Sequence, residues 1–238
     1  SPGRIPVDVT FHVNDPEQML SIGVGYAPLE SRNYIIAQLA RLPAARPLIL
    51  VLKELVHLHG VNDAYSGGIS SHSLILLVLF FLRNFARDPL PPDCAHGELL
   101  IRALRWLGEF PFAHVGIELA DDASYVPLTK TGLELLTRHH RTRVYDRRIL
   151  DEGASVPAVG LHIGDPLNPR INVAKASFQW ERVQRVLRAA HHLLTHYRDA
   201  APHTRIYGGV PERGSPLHDL FDQGLLRAQM ALGEPRAK

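Results

Sequence analysis

Several residues in this 238-residue chain have types and spacings that could do chemistry. Asp8 sits between Val7 and Val9, on the polar side of an alternating run. A strand carboxylate there could help hold Mg²⁺ for phosphoryl transfer, but two metals need several carboxylates. Taken alone, Asp8 reads as an ordinary exposed strand residue. Lys53 is the cation inside LILVLKELV. It either snorkels to solvent beside Glu54 or reaches a phosphate as a point charge. Gly67-Gly-Ile-Ser-Ser-His-Ser73 stands at a helix start. Glycines allow close backbone approach, and amide groups with the Ser70 and Ser71 hydroxyls suit phosphate. The same serines could simply cap the helix. The pattern is not a P-loop, since no Gly-Lys-Ser/Thr follows. Arg138-His-His-Arg-Thr-Arg143, with Arg147 and Arg148, is a cationic run. It reads as a solvated loop, or as an RNA-backbone contact through Arg138, Arg141 and Arg143.

The histidines invite a metal reading that the spacing does not support. His57 and His59 lie two apart on a helix and so do not share a face. His192 and His196 are spaced i,i+4 and could bind zinc, but no HExxH glutamate accompanies them.

The elements that would position these groups are mostly helical. Ile5, Val7, Val9 and Phe11 alternate with polar residues, as in a strand with one apolar face. Its pairing partners are expected upstream of the chain. Residues Ser31–Leu42 read as an amphipathic helix. Pro47–Gly60 is a second, with proline in its first turn and glycine at its end. Its interior is apolar almost all round, which predicts burial. A third runs from about Ser70 to Phe85, ended by the Pro-rich Asp88–Pro92, and a fourth from Glu98 to Phe110. Signals between Phe112 and Leu161 are mixed, with strand-like pieces at Val115–Leu119 and Leu161–Ile163. Trp180, Val183, Leu187, Ala190, Leu194 and Tyr197 mark a last helix over Gln179–Tyr197. The fold class is therefore α+β, mostly α. A domain boundary is expected near Gly25–Arg32, with residues 1–30 closing one domain, 31–200 forming a helical domain and 201–238 a loosely held tail.

Composition narrows the class further. Hydrophobic content of 45% is ordinary for a globular protein. A net charge of +2 and a pI near 8.8 permit a polyanionic partner without demanding one. The single Cys94 excludes an internal disulfide and fits a reducing compartment. The apolar run Leu74–Leu82 is far short of the roughly 20 residues of a membrane span, and Ser1–Pro6 has no signal-peptide core.

Three segments, in order, resemble the terminal nucleotidyltransferases of the polymerase-β-like superfamily, especially the nuclear-surveillance poly(A) polymerases. Val7-Asp-Val-Thr-Phe11 is similar to the strand bearing the family's third catalytic aspartate. Leu50-Val-Leu-Lys-Glu-Leu55 and Gly67-Gly-Ile-Ser-Ser-His-Ser-Leu74 are similar to its helical central domain. Gly164-Asp-Pro-Leu-Asn-Pro169 and Asn172-Val-Ala-Lys-Ala-Ser-Phe178 are similar to its nucleotide-recognition loop and the helix after it. The resemblance runs from about Ile5 to Tyr197. It implies the end of the catalytic domain, followed by the central, poly(A) polymerase-associated domain.

The resemblance implies transfer of AMP from ATP to an RNA 3′ end, with Mg²⁺ or Mn²⁺. It makes Asp8 a metal-site carboxylate that helps activate the 3′ hydroxyl. Lys53 and Ser71, next to Ser70, would hold the triphosphate. His72 stands where relatives have a base-stacking tyrosine, and Asp165 would contact the base or its water shell. Asn14 could replace the ribose-contacting asparagine, because His12 occupies the usual place. Asn168, Ile171 and Asn172 belong to the recognition loop. Ile171 falls where uridylyl enzymes often carry a uracil-reading histidine, which favours ATP over UTP. The departures are Gly164 in place of an acid, Ala174-Lys175 in place of Gly-Arg, and the absence of the Gly-Ser motif and first two carboxylates. The chain is thus expected to be an incomplete, inactive part of the enzyme. The resemblance also implies RNA-surveillance partner proteins and the nucleus, with the cytoplasm or mitochondria as alternatives. Rival readings are a uridylyl transferase, a non-catalytic RNA- or protein-binding module derived from the enzyme, and a helical domain unrelated to nucleotides.

Overall fold

A computed structural model of the chain describes residues 28–85, 95–119, 123–138, 160–200 and 220–221. The expected first strand, with Asp8 and Asn14, lies outside them, as do Arg141 and Arg143. The described elements are α1 (Pro28–Arg41), α2 (Ala45–Leu58), α3 (Ser71–Phe85), α4 (Ala95–Glu109), β1 (Val115–Glu118), β2 (Ser124–Pro127), α5 (Lys130–Arg138), β3 (Ile163–Gly164) and α6 (Trp180–Ala200). The result is α+β and mostly helical.

α3 is the centre. Leu74, Leu76, Leu77, Val78, Leu79 and Phe80 are each 1% exposed or less. Their side chains point in every direction around the helix, so neighbours must cover all of its sides. α2 and α4 pack against it, and α4 packs in turn on α6. α2 shows a more one-sided burial than its apolar interior predicts. Leu48, Leu52 and Leu55 are buried at i, i+4 and i+7, whereas Leu50 is 60% exposed and Lys53 and Glu54 face solvent. Gly60, at φ +60°, ends α2 as expected. Its amide donates to the His57 carbonyl, and that of Val61 to the Val56 carbonyl, both at 3.0 Å.

Aromatic rings fill the space between α3, α4 and the sheet. Trp106 stacks on Phe80 at 5.8 Å between centroids, and Phe112 meets Trp180 edge-on at 5.3 Å. Losing one such ring costs about 3–5 kcal/mol. The ion pairs Glu98–Arg102 and Arg105–Glu109 are partly exposed i,i+4 pairs. Each contributes only about 0.3–0.5 kcal/mol, so apolar packing decides the fold.

The sheet has the order β2-β1-β3. β1 pairs with β2 antiparallel and with β3 in parallel, Glu118 opposite Gly164. A parallel pair requires a long crossover, and α5 stands within it. β2 and α5 fall in the stretch whose sequence signals are mixed. β3 covers Ile163–Gly164, slightly later than the expected piece. Leu220, in the stretch expected as a tail, is fully buried within the core. Among the described residues no single helix is long and apolar enough to cross a membrane.

The turn before α3 depends on two glycines. Gly67 has φ +84°. A Cβ on Gly68 would stand 2.3 Å from the Val61 carbonyl oxygen, a backbone atom that cannot step aside. Gly68→Ala is therefore expected to lower the unfolding free energy by about 2–3 kcal/mol, and Gly67→Ala by about 1–2 kcal/mol through backbone strain. Urea denaturation reads both, and a Gly68→Ala chain as stable as the parent would show that the turn follows another path.

Candidate functional site

Ser70 caps α3. Its Oγ accepts the Ser73 amide at 3.1 Å and donates to Ser73 Oγ at 2.9 Å. Ser73, fully buried, passes the chain on to the Val173 carbonyl at 3.4 Å. The capping reading of Ser70 therefore accounts for its hydroxyl. Ser71, the first helical residue, is exposed. A second tie joins the same regions, where the Gln179 amide donates to the Gly67 carbonyl at 2.9 Å. Together these bonds hold the start of α3 against the segment 164–179.

That segment is closed by its own backbone. The Asp165 amide donates to the Ile171 carbonyl at 2.9 Å, the Asn168 amide to the Asp165 carbonyl, and the Ile171 amide to the Asn168 carbonyl. Asp165 Oδ1 accepts the Leu167 amide at 2.8 Å. Asn168 Oδ1 accepts the Arg170 amide at 3.3 Å. Asn172 uses its whole amide inside the fold. Its Oδ1 accepts the amides of Ile163 and Ala174, and its Nδ2 donates to the Leu161 carbonyl. What these contacts show for Asn172 is a brace at the foot of the loop. The Ile171 side chain is half-buried.

The loop and α3 bring two ionisable groups into electrostatic range. Asp165 is 2% exposed, and His72 is half-buried. Burial pulls the His72 imidazole below the ordinary histidine value, and the nearby Asp165 carboxylate opposes that shift without cancelling it. His72 is consequently neutral at pH 7. A neutral imidazole half-sunk at a helix start is a modest flat face for a base.

The sequence reading missed one acid. Glu118, on β1 opposite Gly164, is 7% exposed. A Cβ on residue 164 would lie 2.9 Å from Glu118 Cγ and 3.6 Å from its Oε1. The place left open by glycine at 164 is thus filled by a carboxylate from the neighbouring strand. Only the strand register reveals this, since the two residues are far apart in the chain. Ser73 was likewise seen only as part of a motif.

Lys53 is exposed on α2. Arg138 ends α5, and its side chain lies outside the described residues. The His196 Nδ1 bonds the His192 carbonyl of its own helix at 3.0 Å. Among the described residues no group of three or more His, Cys, Asp or Glu could hold a metal ion.

A second histidine is buried beside the loop. His162 is 9% exposed and its ring lies over Gly116. Its Nε2 meets no hydrogen-bond partner among the described residues. Burial lowers its pKa below the ordinary range.

No family model matches the chain. Poly(A) RNA polymerase protein 1 of Eremothecium gossypii is 30% identical over 173 residues, 70% of this chain and 25% of that protein. The Drosophila melanogaster protein named inactive non-canonical poly(A) RNA polymerase protein Trf4-2 is 35% identical over 120 residues, 49% of this chain and 27% of that one. The chain therefore spans about a quarter of the length of these relatives. The solved polymerase core of TRAMP, an RNA surveillance complex, matches with a TM-score of 0.57 over 84% of this chain and 55% of that one. Identity there is 22%, so this likeness is one of fold.

Two outcomes follow from the geometry. Asn172→Ala removes three hydrogen bonds and strands buried backbone partners, so it is expected to destabilise the chain by about 2–4 kcal/mol in urea. A change below about 0.5 kcal/mol would show that the loop does not depend on this amide. His72 and His162 both have depressed pKa values, so the unfolded chain binds more protons below about pH 6.5. Their contribution to stability is complete above that pH and is lost as pH falls through the folded pKa values. His162→Leu is expected to flatten the decline between about pH 6.5 and pH 5, read by urea midpoints. An unchanged slope would exclude His162 as a source.

Proposed function

As this chain belongs to the poly(A) RNA polymerase family, we propose that it is the helical part of an enzyme that adds AMP from ATP to RNA 3′ ends without a template. The observation that carries the proposal is the joining of the capped start of α3 to the loop bearing Asp165, which puts Ser71, His72 and Asp165 in one region. Phosphoryl transfer needs positioning and electrostatic stabilisation more than covalent help. The amino-terminal end of α3, with Ser71, offers partial positive charge to a phosphate, and Lys53 adds a full charge. The neutral His72 ring would lie against the base. Asp165 would act mainly by holding the loop and facing His72, since its carboxylate is buried and already bonded.

The reading of Ile171 supports ATP over UTP. Its side chain has no hydrogen-bonding atom for a uracil edge, and its carbonyl is taken by the Asp165 amide. Mg²⁺ or Mn²⁺ would rest on Asp8 and on carboxylates beyond those described. The described residues form no site that fits the ion. RNA surveillance, with partner proteins and a nuclear location, belongs to the same proposal on the sequence resemblance. Fractionation that finds the protein only in cytosol or mitochondria would remove that part.

A second reading is favoured by one relative. The Trf4-2 protein, 35% identical, carries the name inactive. A non-catalytic module that still binds nucleotide or RNA would retain the same loop and helix start.

The test uses the complete protein with oligo(A), each nucleoside triphosphate, and Mg²⁺ or Mn²⁺. Extension is expected with ATP, with kcat/KM over UTP of about tenfold or more. Asp8→Asn should lower it by more than about a hundredfold, and Lys53→Gln should raise KM for ATP. Equal or greater use of UTP would overturn the adenylyl assignment. Binding of ATP and RNA without extension would select the second reading.

A further inference from the structure

Folding hides most large rings, and one ring here is left almost wholly in water. Tyr65 is 95% exposed, in the turn between α2 and α3. The turn that carries it is fixed by its own bonds. Asp63 Oδ1 accepts the Tyr65 amide at 3.0 Å, and Asp63 Oδ2 accepts the Ser66 amide at 3.2 Å. The Ser66 hydroxyl donates to the Asp63 carbonyl. The Gly67 and Gly68 amides donate to the carbonyls of Ala64 and Asp63. The backbone beneath the ring is thus held in place while almost none of the ring is covered.

A second ring stands beside the same turn. Phe178 is 50% exposed. A Cβ on Gly67 would lie 2.6 Å from its Cε2 and 2.9 Å from its Cδ2, so the ring edge rests on the glycine. Gly67 is two residues from Tyr65, and its carbonyl receives the Gln179 amide. Both rings therefore belong to one braced unit, which the Ser73–Val173 bond joins to the loop 164–172. A single exposed ring needs no explanation, but two on one fixed turn do. Arg170 and Lys175 are exposed cations of the adjoining segment. Glu181, three residues after Phe178, is an exposed acid and is followed by the exposed Arg182.

Exposed aromatic rings with cations near them suit a single nucleic-acid strand. Each base offers a flat face to stack, and each linkage a phosphate to meet. Area argues against a protein partner. The two rings present roughly 300 Å², against about 800 Å² per partner in a standard protein interface. We propose that Tyr65 and Phe178 form a stacking platform for a base of the RNA strand, with Arg170 and Lys175 meeting adjoining phosphates. The platform deepens the reading of the chain as part of an RNA-extending enzyme and rests on it. It is distinct from Ser71, His72 and Asp165, to which the incoming nucleotide is assigned, so it bears on the strand and not on ATP.

The experiment measures binding of labelled oligo(A) to the complete protein by fluorescence anisotropy over a range of salt. Tyr65→Leu keeps apolar bulk but removes the flat face, and is expected to weaken binding about five- to thirtyfold. Phe178→Leu should act in the same direction, and Tyr65→Phe should bind like the parent. Neither leucine variant should change the slope of log K against log salt. Arg170→Gln and Lys175→Gln should each lower that slope by about 0.7, the loss of one single-strand phosphate contact. Leu50→Ala, which trims an exposed apolar side chain on α2, should change nothing. An abasic residue moved along the oligo(A) locates the stacked base. At one position the parent should fall to the Tyr65→Leu level, and the variant should lose nothing more. Circular dichroism checks the fold, and the exposed Tyr65 tests the platform even if Phe178→Leu unfolds. If Tyr65→Leu binds like the parent, or Tyr65→Phe falls with it, the turn is not a stacking site and the enzyme reading stands. A raised KM for ATP with unchanged oligo(A) binding would give the ring to the nucleotide and overturn the strand assignment. A complete protein that neither binds nor extends oligo(A) removes both.

Discussion

A helix that is apolar on nearly every side cannot stand in water, and α3 is such a helix. Burying its leucines and phenylalanines obliges α2, α4, the sheet and the segment 160–179 to close around it. Each fully buried side chain of this kind contributes about 1.5–3 kcal/mol, against the few tenths of a surface ion pair. The positions of the candidate ligand groups among the described residues follow from that closure. The start of α3 must emerge somewhere, and it emerges where Gly67 and Gly68 let the chain turn sharply against Val61 and Gln179.

The polar groups at that emergence are satisfied in a chain that crosses between elements. Ser70 bonds Ser73, Ser73 bonds Val173, and the Gly67 carbonyl receives Gln179. Asn172 then ties the foot of the loop to Leu161, Ile163 and Ala174. A loop fixed in this way, with Asp165 Oδ1 accepting the Leu167 amide, holds Asp165 at a set place relative to His72. The same closure leaves His72 neutral.

The helices were legible because their signals are local. Apolar repeats at helical spacing located α1, α2, α3, α4 and α6 to within a few residues, with the positive-φ glycine at the end of α2. β2 and α5 were not legible, since both are short and their burial comes from partners elsewhere. Leu220 looked like part of a loose tail for the same reason: its burial depends on a surface that the surrounding residues do not announce.

The candidate site divides along the same line. Residue order predicted a mostly helical chain, and the resemblance of its motifs to the nucleotidyltransferases singled out Ser71, His72 and Asp165. Those signals are motifs, and motifs are contiguous. Only the tertiary structure decided that Ser70 and Asn172 spend their polar atoms inside the fold and that Glu118 fills the space beside Gly164. Each of these pairs residues through a strand register or a helix crossing. Such distances arise when distant segments are forced together to cover one apolar helix, and no local pattern encodes them.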